Sequence, residues 1–174
     1  MISWWRTSFG DHEVEKLRES VQKECIGQGA VTEEFEEQIA QALNVPFVVA
    51  TTSGSAALYM ALLSAGIGQG DEVIIPNRTW IASANATLLT GAKIVLVDVQ
   101  SDLPLIDVTQ IQSKITPQTK ALMPVHLNGR SADMLGIQHL AGEFGIPIIE
   151  DACQAFFSSN SNGYLGTQSD VGCF

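Results

Sequence analysis

A chain of 174 residues, 45% hydrophobic and 16% charged, can bury roughly 70% of its unfolded surface and lies outside the compositional range of disordered segments. Acidic residues outnumber basic ones 19 to 9, a formal net charge of −10, which repels phosphate backbones and anionic lipid and argues against nucleic-acid or membrane partners. The cysteines Cys25, Cys153 and Cys173 show no Cys-x-x-Cys spacing, and with three histidines they supply neither a disulfide framework nor a metal site. Met1–Arg6 lacks the charged start and apolar core of a signal peptide, and no apolar run approaches the roughly 18 residues of a spanning helix. The expectation is a cytoplasmic chain.

The first elements read as amphipathic helices. Val14, Leu17, Val21 and Cys25 recur at helical spacing until Gly27-Gln28-Gly29 ends the segment. This gives an N-terminal helical segment over residues 1–30 and a second region over 31–174. Thr32 is placed to cap the next helix, whose first turn carries Glu33, Glu34 and Glu36. Phe35, Ile39 and Leu43 form its expected buried stripe.

From Pro46 the pattern changes to short apolar runs alternating with helical stretches. The runs 47–50, 72–75, 94–97, 121–125 and 146–149 predict strands, mostly apolar on both faces as in a covered sheet. Segments 55–65, 79–89, 107–113 and 131–144 are long enough for crossover helices, and 169–174 reads as the start of a further strand that the chain leaves unfinished. Strand–helix alternation predicts an α/β fold with a mostly parallel sheet and helices on both faces. Ligands of such sheets sit beyond the carboxyl ends of the strands. That directs attention to 51–56, 76–80, Asp98, 126–130 and 150–154.

Several motifs fall there. Thr52-Ser53-Gly54-Ser55-Ala56-Ala57 opens a helix after the first predicted strand, as an ordinary capped turn or as a phosphate grip made of outward N–H groups. Gly66-Ile67-Gly68-Gln69-Gly70 follows a helix and precedes a strand, so it is a turn rather than a dinucleotide fingerprint. Asp151, in Glu150-Asp151-Ala152-Cys153-Gln154, either caps a turn or fixes a cationic heterocycle, with Gln154 able to reach the same ligand. Trp80 is either core or a stacking plate. His126 reads as a neutral hydrogen-bonding residue, and a Cys153–His126 nucleophile pair has nothing in the sequence to bring it together. Taken jointly, a phosphate grip, an aromatic plate and a carboxylate at the strand ends of one sheet match the needs of pyridoxal 5'-phosphate (PLP). There the carboxylate keeps the pyridine nitrogen protonated so that the ring can accept electrons.

The ordered set Ser53-Gly54-Ser55-Ala56-Ala57-Leu58, Gly68-Gln69-Gly70-Asp71-Glu72-Val73-Ile74, Pro76-Asn77-Arg78-Thr79-Trp80, Pro124-Val125-His126-Leu127-Asn128-Gly129, Glu150-Asp151-Ala152-Cys153-Gln154-Ala155 and Gly172-Cys173-Phe174 resembles the DegT/DnrJ/StrS-type nucleotide-sugar aminotransferases, fold-type I PLP enzymes. The resemblance implies that 31–174 is part of their PLP-binding large domain. It implies that Ser55 and Ala56 bind the cofactor phosphate, that Trp80 stacks on the pyridine ring, that Asp151 pairs with the ring nitrogen as the catalytic carboxylate, and that Gln154 bonds the phenolic oxygen. It further implies a nucleotide-linked keto-sugar substrate, glutamate as amino donor, a role in polysaccharide or surface-sugar synthesis, and a homodimer. In that family the Gly172-Cys173-Phe174 stretch precedes the lysine that holds the cofactor covalently. None of Lys16, Lys23, Lys93, Lys114 or Lys120 matches that motif, so a non-catalytic fragment and a PLP-dependent sugar dehydratase relative stand as alternatives.

Overall fold

The computed structural model describes residues 8–174; Met1–Arg6, read above for a leader, lies outside them. The chain divides into two units between Ala50 and Thr51, whereas the sequence placed its boundary at residue 30.

In the first unit, α1 (Asp11–Gln22) starts where the Gly10 N–H donates to Glu13 Oε2 at 2.6 Å, a first-turn bond that occupies the cap residue's backbone donor. The helix stops before Cys25, because Glu24 takes a left-handed conformation with φ 56° and the Cys25 N–H turns back to the Ser20 carbonyl. Val14, Leu17 and Val21 are all more than half exposed: periodicity reveals an apolar face but not what covers it. Helix α2 (Ala30–Leu43) begins two residues before the expected Thr32 cap, with Gly29 at the cap position. Its stripe is graded, with Leu43 buried, Ile39 half-buried and Phe35 exposed. Residues 47–50 were expected to form a strand and do not. Phe47 is 86% exposed, and the Ala50 N–H is taken by Glu36 Oε1 at 2.7 Å instead of by a neighbouring strand.

The second unit contains α3 (Gly54–Ser64), β1 (Glu72–Pro76), α4 (Ile81–Leu89), β2 (Lys93–Val97), the short α5 (Val108–Ile111), β3 (Thr119–Leu122), α6 (Met134–Phe144), β4 (Ile149–Asp151), the small hairpin β5 (Ser159–Asn160) and β6 (Gly163–Tyr164), and β7 (Val171–Cys173). Strand β1 pairs in parallel with β2 on one side and β3 on the other, and β4 pairs in parallel with β7. Parallel bridges Leu122–Ile148 and Val125–Asp151 join the two groups. Among the described residues the order is therefore β2-β1-β3-β4-β7, all parallel. The ladder thins to bridges between β3 and β4 because Pro124 and Pro147 bring no N–H there. Their carbonyls still accept, from Asp151 N at 2.9 Å and Leu122 N at 3.0 Å.

Alternation along β1 sorts its side chains between two cores. Val73 and Ile75 pack with Leu58, Leu62 and Ala86 of α3 and α4, while Ile74 packs with Ile137 and Leu140 of α6 and with Ile111. Helices thus cover both faces, as expected for the α/β class. Four of the five predicted strands and all four predicted crossover helices are present, with shifted ends; the β5–β6 hairpin was not foreseen. Close packing between β7 and the preceding loop explains Gly172: a Cβ at this position would overlap the Gly166 carbonyl oxygen.

Candidate active site at the carboxyl ends of the strands

Helix α3 begins with a side-chain cap. Ser53 Oγ accepts from the Ala56 N–H at 3.2 Å and the Ser53 carbonyl accepts from Ala57 N at 3.0 Å. Among the described residues, the Gly54 and Ser55 amides have no acceptor, so two donors at the positive end of an 11-residue helix point outward. Ser55 is exposed and Ala56 half-buried. Ala56, which the resemblance assigned with Ser55 to the cofactor phosphate, has its amide on Ser53 Oγ. Gly54 lets this helix start lie against the turn after β4: a Cβ there would stand 2.5 Å from Cys153 Sγ and 3.3 Å from the Phe174 carbonyl oxygen.

At that turn, Asp151 is only 5% exposed. Among the described residues, its Oδ2 accepts from Ser83 Oγ at 2.7 Å, and its Oδ1 has a long contact, 3.3 Å, from the Cys153 N–H. Ser83 lies in the first turn of α4 and is fully buried, with Thr79 Oγ1 at 2.8 Å from its hydroxyl. Trp80 is the cap residue of the same helix and is 68% exposed, so it is not core; its face is available to a flat ligand. Gln154 is exposed, and its Oε1 accepts from the Asn128 N–H at 3.0 Å. Its amide NH2 is left as the free end.

Contacts thus tie together the starts of α3 and α4 and the end of β4. They carry Ser55, Trp80 and Asp151, which the sequence assigned to one ligand. Ser83 was missed, although it lies in the first turn of the helix that Trp80 caps.

His126 is elsewhere and fully committed. Its Nδ1 accepts from Ala132 N at 3.2 Å and its Nε2 lies 2.8 Å from Glu150 Oε2. With Nδ1 accepting, the proton belongs on Nε2 and the ring donates to Glu150. Glu150 also accepts from Gly166 N, Gln168 N and Ser169 Oγ at 2.7–2.8 Å. Burial pushes its carboxyl upward, and the His126, Ser169 and backbone donors together outweigh that and hold it below the ordinary range. Cys153 does not meet His126; burial, then the adjacent Asp151 carboxylate, push its thiol well above the usual value. Cys173 is pushed up to about 12, by burial first and then by Asp151 and Glu150. A thiolate nucleophile is disfavoured at both positions. The lysines of this unit stand at the other end of the sheet. Lys93 opens β2 and pairs with Glu72 at 2.7 Å, Lys114 lies in the short helical turn before β3, and Lys120 is the second residue of β3. A hollow of roughly 500 Å³, bounded by Gln138, Gly142, Ile148, Gln168 and Asp170, also lies near the amino end of β4, lined by none of Ser55, Trp80 or Asp151.

Two outward amides with a serine hydroxyl, an exposed aromatic face and a buried carboxylate with one under-used oxygen fit a phosphorylated, flat, cationic heterocycle. The parallel sheet with helices on both faces is the fold of the fold-type I PLP enzymes. Residues 8–174 match the model of the DegT/DnrJ/EryC1/StrS aminotransferase family, and the chain belongs to that family. It is similar to DesV of S. venezuelae, solved with a ketimine intermediate (38% identity, TM-score 0.81, covering 90% of this chain and 44% of that one). It is also similar to Spr1654 of Streptococcus pneumoniae, described as a candidate sugar aminotransferase and solved in its PLP form (27%, TM-score 0.92, 97% and 47%). A third similar structure is NtdA of Bacillus subtilis with bound PMP, pyridoxamine phosphate (34%, TM-score 0.81, 90% and 37%). PLP is the cofactor of the family. The chain spans less than half the length of these solved relatives.

Proposed function

We propose that this chain forms the cofactor-binding part of a PLP-dependent aminotransferase that passes an amino group from glutamate to a nucleotide-linked keto sugar, in the synthesis of polysaccharide or surface sugars. The enzyme would act in the cytoplasm as a homodimer. The observation that carries the reading is Asp151: a buried carboxylate at a strand end whose Oδ1, among the described residues, has one long backbone donor.

In this reading the amides of Gly54 and Ser55 and the Ser55 hydroxyl hold the phosphate, where the α3 dipole favours negative charge. Trp80 covers one ring face and excludes water from it. Asp151 holds a proton on the pyridine nitrogen, and the free NH2 of Gln154 donates to the phenolic oxygen. PLP, when bound, supplies the electron sink for breaking bonds at the carbon that bears the amine. The sugar and the amino donor rest on the resemblance to the family and on relatives such as Spr1654.

Equilibrium dialysis against PLP tests the cofactor site. Asp151→Ala is expected to weaken binding about 10- to 100-fold, the worth of a charge-assisted hydrogen bond of about 1.5–3 kcal/mol. Equal affinity of the two proteins would remove the assignment. For the substrates, the full-length gene product should convert glutamate to 2-oxoglutarate when supplied with a UDP- or TDP-linked keto sugar, and not with the free sugar. Equal turnover of both would reject the nucleotide requirement.

A further inference from the structure

The hydroxyl pair Thr79–Ser83 has no part in the roles assigned above, yet it makes the shortest contact that Asp151 has. Three observations define it. Ser83 is fully buried, its Oγ lies 2.7 Å from Asp151 Oδ2, and Thr79 Oγ1 lies 2.8 Å from Ser83 Oγ. A carboxylate only accepts, so the single Ser83 proton is directed at Oδ2. Thr79 must then be the donor to Ser83 Oγ. The two hydroxyl dipoles line up toward the carboxylate and reinforce one another in a buried setting.

The two oxygens of Asp151 are therefore unequal. Oδ2 is saturated by a short hydroxyl bond. Among the described residues, the backbone donor to Oδ1 is the Cys153 amide at 3.3 Å, with the weakly donating Cys153 thiol beside the carboxylate, which leaves Oδ1 lone-pair capacity for a stronger donor. Resting on the PLP reading above, we propose that Ser83, backed by Thr79, is a positioning residue that selects Asp151 Oδ1 as the acceptor of the cofactor's pyridinium N–H and keeps the carboxylate turned for it. The same first turn of α4 presents Trp80, whose carbonyl accepts from the Ser83 amide at 3.3 Å. One helix start thus sets both the ring face and the orientation of the carboxylate at the ring edge.

The experiment uses PMP labelled with 15N in its pyridine ring, a ligand that needs no covalent lysine. It is titrated into the wild-type chain, Asp151→Ala, Ser83→Ala, Ser83→Thr and Thr79→Ala, with the nitrogen resonance read at one fixed pH alongside each variant's melting curve. Wild type and Ser83→Thr should show the protonated position. Ser83→Ala should bind about tenfold more weakly, with the resonance of the bound ring moved toward the unprotonated position. Thr79→Ala, which removes only the outer hydroxyl, should move both readouts in the same direction by less. A purely structural role for Ser83 lowers the melting temperature but leaves the resonance of the bound ring at its wild-type position; that result would overturn the proposal. If Ser83→Ala does not fold, an unmoved resonance in Thr79→Ala overturns it equally. Failure of the PLP reading is distinct: Asp151→Ala would then bind PMP as the wild type does.

Discussion

Glu150 and Asp151 are neighbours on β4, so the two-residue period of the strand turns them to opposite faces of the sheet, and their surroundings differ accordingly. Glu150 is fully buried and accepts from His126, Gly166, Gln168 and Ser169. Every lone pair it can offer is matched, and its partners fix the loop that leads into β7. Asp151 has one short donor and one long one. A saturated buried carboxylate stabilises a fold, whereas one with an oxygen to spare is placed to meet a ligand. In that sense β4 separates architecture from chemistry within two residues.

The largest expected effect tests the architectural half. Glu150→Ala leaves four donors facing a void and should cost about 3–5 kcal/mol, read as a lower urea midpoint with an unchanged slope. Asp151→Ala, which frees one hydroxyl and one weakly bonded amide, should stay within about 1–2 kcal/mol of the wild type. Equal losses would erase the contrast.

A smaller effect lies in acid. Because the donors hold the folded-state pKa of Glu150 below its ordinary 4.5, the carboxylate contributes stability fully above that value. The contribution fades as the pH falls through the folded pKa. Glu150→Gln should therefore be the less stable protein at pH 7, with the gap to the wild type narrowing below about pH 4.5. A gap independent of pH would contradict the assignment.

The smallest effect concerns the thiol beside Asp151. Cys153 is exposed, yet burial of its sulfur and the neighbouring carboxylate raise its pKa. Alkylation at pH 8 should be slow and should speed up in Asp151→Asn, which removes the charge. Fast labelling in the wild type would show that the carboxylate does not act on it.

The sequence revealed the covered sheet well, because β1 and most of β3 are buried between helices, and the apolar run of β2 is legible although Leu96 on it is 54% exposed. It misjudged residues 47–50, where an apolar run meets a Glu36 carboxylate instead of a ladder. It read an apolar face along α1, where periodicity marks a face and does not show what covers it. At the site, Ser55, Trp80, Asp151 and Gln154 were singled out by their places at strand ends and by the family resemblance. Ser83 was not found, because a small polar residue inside a helix looks like any other until a distant strand brings its acceptor within 2.7 Å. The role of Glu150 stayed hidden for the same reason: its donors come from His126, 24 residues earlier, and from a loop 16 to 19 residues further along the chain.

The most direct measurement is a crystal structure of the chain soaked with PMP. The ring nitrogen should lie within hydrogen-bonding distance of Asp151 Oδ1, the phosphate on the Gly54 and Ser55 amides, and the Trp80 face against the ring. PMP seated elsewhere, for instance in the hollow between Gln138 and Asp170, with Asp151 untouched, would contradict it.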